Sequence, residues 1–184
     1  MKKWKILKEI DVSPSQWFPV FRHILELPDH SIIDDYFISS MRNAAMVFPL
    51  TTENEVVFVK QYKHGLGEIL LELPAGFQQK GKSIEESALA ELHEETGIKA
   101  NLGNLEYLGR AANIPTKMRS ITHLFLARDV SLNSSQSLDP NEDIEIIRLA
   151  PKEVLNMVER GEIWVADTIS AIMKVYLKYH QIFK

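Results

Sequence analysis

Short runs of apolar and aromatic residues, separated by polar turn residues, make up the first part of the chain. This pattern is typical of β-strands. The first three runs predict a small antiparallel meander, punctuated by Pro28 and Asp29. Further strands follow, and the polar residues 51–54 predict a hairpin between the first two of them. The predicted strands cover residues 4–12, 18–27, 32–38, 43–50, 55–62 and 69–73.

The hydrophobic pattern changes to that of a helix after residue 83. Ser83 and Glu86 form the spacing of a capping box, and Gly97 is a typical helix stop. We therefore predict a helix over residues 84–96.

The rest of the chain predicts strands at 105–110, 122–127 and 144–149, and helices over 152–159 and from 167 through 177. A stretch rich in Ser, Asn and Asp, residues 130–141, predicts a long mobile loop. Strands around one helix with more helices at the end indicate an α/β layered domain with a mixed sheet.

The composition narrows the class of protein. The 184 residues carry a formal net charge of -4, contain no cysteine and are 45% hydrophobic. These values disfavour disorder, thiolate metal sites and nucleic-acid coating. No apolar run is long enough to cross a membrane, and no signal peptide is recognisable, so a cytoplasmic protein without a nucleic-acid or membrane partner is expected.

Three carboxylates crowd the end of the predicted helix. Glu91, Glu94 and Glu95 fall within an arc of about 100°. Like charges at these spacings repel, and the negative end of the helix dipole adds to the cost. One reading is a solvated acidic face. The other is a site for a divalent cation, since Mg²⁺ prefers oxygen ligands such as carboxylates combined with substrate phosphates.

The residues from Gly76 to Ile98 resemble the box of the Nudix hydrolases, G-x5-E-x7-R-E-U-x-E-E-x-G-U, where U is aliphatic. The matching positions are Gly76, Glu91, Leu92, Glu94, Glu95, Gly97 and Ile98. Two positions depart from the box: Lys82 stands where it has its first Glu, and Ala90 where it has Arg. In the family that Glu and Arg form an ion pair that braces the loop against the helix, so this brace is absent here.

The similarity extends to the ADP-ribose pyrophosphatase branch of the family. Its motifs are K60-Q-Y-K63, E72-L-P-A-G76, Pro115, H123-L-F-L-A127, N141-E-D-I-E145, and G161-E-I163 followed by D167-T-I-S-A-I172. The resemblance implies a Nudix-like α/β/α sandwich with a mixed central sheet over residues 43–184. Residues 1–42 would form an amino-terminal β meander that builds a homodimer and completes the substrate site.

The resemblance also implies roles for individual residues. Glu91, Glu94, Glu95 and the carbonyl of Ala75 would bind Mg²⁺, or Mn²⁺ in its place. Glu95 and Glu142 would be catalytic, with Glu142 as a metal ligand or as the general base. Because some relatives have a second acid where this chain has Pro140, Asp139 and Asp143 are alternatives for the base.

Substrate contacts follow from the same resemblance. Lys63 and Gly76 would bind substrate, with Lys63 replacing an Arg that touches phosphate in relatives. Trp4, Trp17 and Phe18 are expected to be core or dimer contacts, and an adenine-stacking platform is the alternative.

The implied function is Mg²⁺-dependent hydrolysis of the diphosphate bond of a small nucleoside diphosphate derivative. ADP-ribose, giving AMP and ribose 5-phosphate, is the first candidate, and another nucleotide sugar is the second. The departures at Lys82, Ala90 and Pro140 leave an alternative, a catalytically impaired Nudix-fold module that binds nucleotides.

Overall fold

The computed structural model describes all residues from Met1 to Lys184. By their internal contacts they form two compact units, Met1–Arg42 with Ala112–Ile121, and Asn43–Ala111 with Thr122–Lys184. One division falls after residue 42. Residues 112–121, which the sequence assigned to the second domain, group with the first unit.

The first unit is a three-stranded antiparallel sheet. Its strands are β1 (Lys5–Asp11), β2 (Val20–Glu26) and β3 (Ile32–Ser39), paired in that order. The predicted meander is therefore confirmed. Backbone groups at Ser39 bond to Lys117 and Arg119, which joins residues 112–121 to the end of β3.

The aromatic residues of the first unit are not core residues. Trp4, Trp17 and Phe18 are 48%, 76% and 51% exposed in the chain. The expectation of a core position is wrong for all three, because they lie outside the strands, before β1 and between β1 and β2. A role as dimer contacts stays a prediction.

The second unit contains the mixed sheet and all three α-helices. Its strands are β4 (Ala44–Thr51), β5 (Val56–Lys63), β6 (Glu68–Glu72), β7 (Ala75–Phe77), β8 (Leu105–Ala111), β9 (Thr122–Val130) and β10 (Ile144–Leu149). Its helices are α1 (Ile84–Thr96), α2 (Pro151–Glu159) and α3 (Ala166–Lys178), with 3₁₀ turns at Leu102–Asn104 and His180–Phe183. No helix in the structure combines the length and the apolar character needed to cross a membrane.

Seven strands form the central sheet. The main order is β10-β5-β4-β9-β8, while β6 pairs with β5 and β7 pairs with β4. The β4–β9 pair is parallel and the other pairs are antiparallel. The predicted mixed sheet is confirmed.

Alternate residues of β4 face two separate helical layers. Ala45 and Val47 pack in the cluster that contains Leu92 of α1. Met46 and Phe48 pack in the cluster that contains residues of α2 and α3. This two-sided burial follows from the period of two along a strand and produces the expected α/β/α sandwich.

The turn at residues 51–54 joins β4 and β5 as predicted, but the hairpin is short. Leu50 pairs with Val56 next to the turn. Farther from the turn, β4 pairs with β7 through residues 44–46. Strand β7, which the sequence analysis did not identify, therefore brings the Ala75–Gly76 backbone into the sheet.

Candidate active site

Helix α1 has the predicted bounds, and its two ends are capped as expected. The Glu86 amide donates to Ser83 Oγ (3.1 Å), and the Ser83 amide donates to Glu86 Oε2 (2.7 Å). Gly97 ends the helix with a left-handed φ of 72°. The local sequence thus fixes the position of the acidic residues along the helix.

Glu95 is buried rather than solvated. Glu95 is only 5% exposed, and its Oε2 accepts a hydrogen bond of 2.9 Å from the backbone N–H of Ala75 in β7. The reading of α1 as a simple solvated acidic face is therefore wrong for Glu95. Isolated buried carboxylates are costly, so this position needs a compensating partner.

Glu91 and Glu94 share one partly buried donor. The side-chain amide Nε2 of Gln79 lies 3.3 Å from Glu91 Oε1 and 3.2 Å from Glu94 Oε2. A side chain added at Gly76 would collide with the Glu91 carboxylate. The absence of a side chain at Gly76 therefore gives Glu91 its place against the β7 backbone.

Glu142 lies at the end of the irregular segment between β9 and β10. Its Oε2 accepts a 2.9 Å hydrogen bond from the Asp139 amide. Burial raises the pKa of Glu91 and of Glu95, and the negative charge of Glu142 adds to both shifts. The structure therefore brings Glu142 close enough to act electrostatically on the α1 carboxylates.

Asp143 occupies a different position from Glu142. It lines a groove of about 240 Å³ together with Lys60 and Ile69. The charge of Glu142, by contrast, acts on both Glu91 and Glu95.

The segment after β9 is attached to the end of α1. The Ser134 and Ser137 amides donate to the carbonyls of Gly97 (3.1 Å) and Glu94 (2.9 Å). The Gln136 side chain donates to the Glu95 carbonyl at 2.7 Å. These bonds satisfy carbonyls that a helix leaves without partners. They also link the loop of Glu142 to the helix that carries the other acids.

Lys63 forms an ion pair with a second, partly buried carboxylate. Its Nζ lies 3.3 Å from Glu72 Oε2, and its positive charge acts to lower the pKa of Glu95. Burial raises the pKa of Glu72, against the opposing charge of Lys63. The positive charge of Lys63, on β5, thus acts on the acidic residues of α1.

The electrostatics of the cluster favour uptake of positive charge. Burial raises the pKa of Glu95 to about 8, and the charges of Glu91 and Glu142 add to this effect. Burial also raises the pKa of Glu91, with a further contribution from Glu94. A proton can relieve this repulsion, and so can a cation.

The donor chemistry of the cluster fits a hard divalent cation. Carboxylate and carbonyl oxygens are the groups that Mg²⁺ selects, and the absence of a side chain at Gly76 leaves the Glu91 carboxylate room at the backbone. As the side chains stand, no three acidic or histidine side chains are arranged to enclose a metal ion. Binding of one ion by several of the carboxylates would therefore require their side chains to rotate.

Two residues near the cluster were assigned no role by the sequence analysis. Glu72 pairs with Lys63, and Gln79 contacts Glu91 and Glu94. The sequence placed Glu72 in a predicted strand and Gln79 in the loop before α1, but it did not predict their contacts. Their contacts are set by tertiary packing, which no local pattern reports.

Stability in the absence of metal should depend on pH through Glu95. The unfolded chain has an ordinary glutamate pKa near 4.5, whereas the folded value is about 8. The folded state therefore holds this proton more tightly. Its contribution to stability is complete below pH 4.5 and is lost as the pH rises through about 8.

We expect the protein in EDTA to unfold at lower urea concentration at pH 8.5 than at pH 6. Glu95→Gln, which cannot ionise, should reduce this difference. Urea unfolding followed by circular dichroism at both pH values measures it. An equal pH dependence in wild type and variant would contradict the assignment to Glu95.

Comparisons with known proteins place the chain in a family. The model of the Nudix domain matches residues 40–170. The ADP-ribose pyrophosphatase of Bacillus subtilis (strain 168) is 35% identical over 136 residues, which are 73% of this chain and 72% of that protein. A protein named methanol dehydrogenase activator, from Bacillus methanolicus, is 32% identical over 73% of this chain and 72% of its own length.

A solved structure supports the same fold. The crystal structure of an ADP compounds hydrolase superposes with a TM-score of 0.85, covering 98% of this chain and 96% of that chain at 24% identity. The chain belongs to the Nudix family and is a Nudix hydrolase of the ADP-ribose pyrophosphatase-like kind.

Proposed function

We propose that this Nudix hydrolase cleaves the diphosphate bond of a nucleoside diphosphate derivative in a reaction that depends on a divalent cation. ADP-ribose is the first candidate substrate, and a related nucleotide sugar is the second. The observation that carries the proposal is the burial of Glu95 beside Glu91, within the electrostatic reach of Glu142. Such a concentration of carboxylates, in a family of hydrolases, suits a metal that grips phosphate.

The residues proposed to hold the cation are Glu91, Glu94 and Glu95, with the Ala75 carbonyl. Mg²⁺ is the expected ion, and Mn²⁺ is a possible replacement with the same ligand preference. When bound, the ion supplies neutralisation of the diphosphate charge and activation of a water molecule. Glu95 is proposed as essential because its carboxylate is the most deeply buried of the three α1 acids.

The remaining proposed roles belong to residues around this cluster. Glu142 accepts a proton from the attacking water. Lys63 binds a substrate phosphate as a point charge, without the two-pronged geometry that an arginine would offer. Gly76 is proposed to contact substrate through its backbone, since the Glu91 carboxylate occupies the place of a side chain there.

The proposed reaction adds one water across one phosphorus–oxygen bond. Hydroxide adds to one phosphorus, the bridging oxygen leaves with the other phosphate, and a proton completes the balance. ADP-ribose would give AMP and ribose 5-phosphate. The alternative of an impaired binding module is not favoured, because all three α1 carboxylates are retained and relatives are named as hydrolases.

A substrate panel tests this function. Purified protein would be incubated with ADP-ribose, other ADP-linked sugars and GDP- or UDP-sugars. Each incubation would contain an excess of MgCl₂, about 5 mM, or EDTA. Chromatography would measure released mononucleotide. We expect release that requires the metal and is greatest for ADP-ribose. Binding without release from any substrate, even at high protein concentration, would support the binding module instead.

We also propose that the first unit mediates homodimer formation. Many of its large apolar side chains are exposed, and exposed apolar surface often marks an interface. They include Trp4, Ile6, Leu7, Trp17, Phe18, Ile32 and Phe37. A monomer in sedimentation equilibrium at micromolar concentration would refute this proposal.

A cytoplasmic location stays a prediction from the sequence.

A further inference from the structure

The loop between β7 and α1 carries an amide that touches two of the proposed metal ligands. Gln79 Nε2 donates to Glu91 Oε1 at 3.3 Å and to the two oxygens of Glu94 at 3.2 and 3.4 Å. Hydrogen bonds to ionised acceptors are stronger than neutral ones. One side chain thus bridges two carboxylates that repel each other.

The other end of the same amide is bound to a cation. Lys82 Nζ donates to Gln79 Oε1 at 2.5 Å. A side-chain amide has one accepting end and one donating end. Because the ammonium occupies the accepting end, the donating end is directed toward Glu91 and Glu94. Lys82 therefore also places a positive charge beside the amide that contacts the two carboxylates.

The backbone of Gln79 is fixed to the start of α1. Its N–H donates to Ser87 Oγ at 3.0 Å, and Ser87 Oγ donates to the Ser83 carbonyl at 2.8 Å. Ser87 is buried. The amide of Gln79 is thus supported from both the backbone and Lys82, which limits the directions in which it can turn.

These contacts join the loop to the helix in a chain that has Lys82 and Ala90 at the two departing positions of the Nudix box. Ala90 offers no charge or hydrogen bond through its side chain. The link between loop and carboxylates runs instead from Lys82 through Gln79 to Glu91 and Glu94.

We propose that Gln79 is a positioning residue that Lys82 orients, and that it holds Glu91 and Glu94 together for binding of a divalent cation. This inference rests on the proposed function, because it concerns the same cation site. Gln79 acts through the two carboxylates and needs no contact with the substrate. Lys82 acts through Gln79.

Gln79→Met tests the proposal by keeping the length of the side chain and removing its polar atoms. The probe is Mn²⁺ alone, with free Mn²⁺ followed by electron paramagnetic resonance in the absence of substrate. We expect the Mn²⁺ dissociation constant to rise about 10-fold, the lower end of the cost of losing a partner of a metal ligand. Circular dichroism in EDTA verifies that the variant is folded.

The kinetic signature separates positioning from general damage. The Mn²⁺ concentration that gives half-maximal hydrolysis should rise with the dissociation constant, while the rate at saturating Mn²⁺ stays within about threefold of wild type. Gln79→Asn, which keeps an amide but is one methylene shorter, provides a second variant if Gln79→Met does not fold. We expect Mn²⁺ binding by Gln79→Asn to be weaker than wild type.

A double-mutant cycle tests the role of Lys82. Lys82→Met should also weaken Mn²⁺ binding, but it should add little when Gln79 is already Met, because coupled residues do not act additively. Additive effects would overturn the assignment of Lys82 as the residue that orients Gln79.

The outcomes distinguish this inference from the proposed function. If wild type binds Mn²⁺ and Gln79→Met binds it equally well or more tightly, the positioning role is overturned and the hydrolase proposal stands. If wild type itself binds no Mn²⁺ and releases no mononucleotide, the proposed function fails and the inference fails with it.

Discussion

Glu95→Gln is expected to reduce the rate of diphosphate hydrolysis by more than about 100-fold. This loss is larger than that expected when a residue supporting a metal ligand is removed, because Glu95 is itself a proposed ligand. Glutamine keeps the size of the side chain and an oxygen that can accept from the Ala75 amide. It removes the negative charge that the cation site needs. The measurement is kcat/KM for the best substrate of the panel, with saturating Mg²⁺.

The matched control for Glu95→Gln is Glu85→Gln. Glu85 lies in the first turn of the same helix, so its change removes one charge from α1 away from the cluster. It should cost at most about 1 kcal/mol of stability through the helix dipole, with turnover close to wild type. Comparable turnover in Glu95→Gln and wild type would exclude Glu95 from the reaction.

Gly76→Ala is expected to lower kcat/KM by about 100-fold, the scale of loss that a displacement near 1 Å can cause. The added methyl group would collide with the carboxylate of Glu91. Either Glu91 or strand β7 has to move, and β7 also carries the amide that binds Glu95. The variant therefore disturbs two proposed ligands through one methyl group.

Gly65→Ala is the control for this change. Gly65 has nothing within 4 Å of an added Cβ and no left-handed backbone. It should leave turnover unchanged. Full activity in Gly76→Ala would show that the position of Glu91 against β7 is not needed for hydrolysis. It would contradict the proposed role of Glu91 as a metal ligand.

Local signals in the sequence predicted the elements that carry the site. The capping box at Ser83 and the glycine at 97 gave both ends of α1 correctly. Strands β8 and β10 and helix α3 also lie where the apolar patterns indicated. These elements are defined by contacts within a few residues, which a sequence shows directly.

Long-range pairing was harder to predict. Strand β7 has three residues and follows Pro74, so it has too few residues to show a period. It is a strand because β4 pairs with it instead of continuing along β5. The order of the sheet depends on this choice, and no residue near the turn at 51–54 reveals it.

The site itself was predicted as a set of residue types, and the structure adds how they are supported. The spacing of Glu91, Glu94 and Glu95 placed them on one arc of α1, but it did not predict that Glu95 is buried against β7. The bridge by Gln79 joins residues 12 and 15 positions apart. Such contacts arise from packing of a loop on a helix, which neither composition nor periodicity encodes.

The most direct test of the account is a crystal structure of the protein with Mn²⁺ and an ADP-ribose analogue whose bridging oxygen is replaced by a methylene group. Anomalous scattering would locate each ion. We predict an ion bound by Glu91 and Glu95 that also contacts the diphosphate. An analogue bound without any ion at these carboxylates, or with ions only elsewhere on the chain, would contradict the central claim.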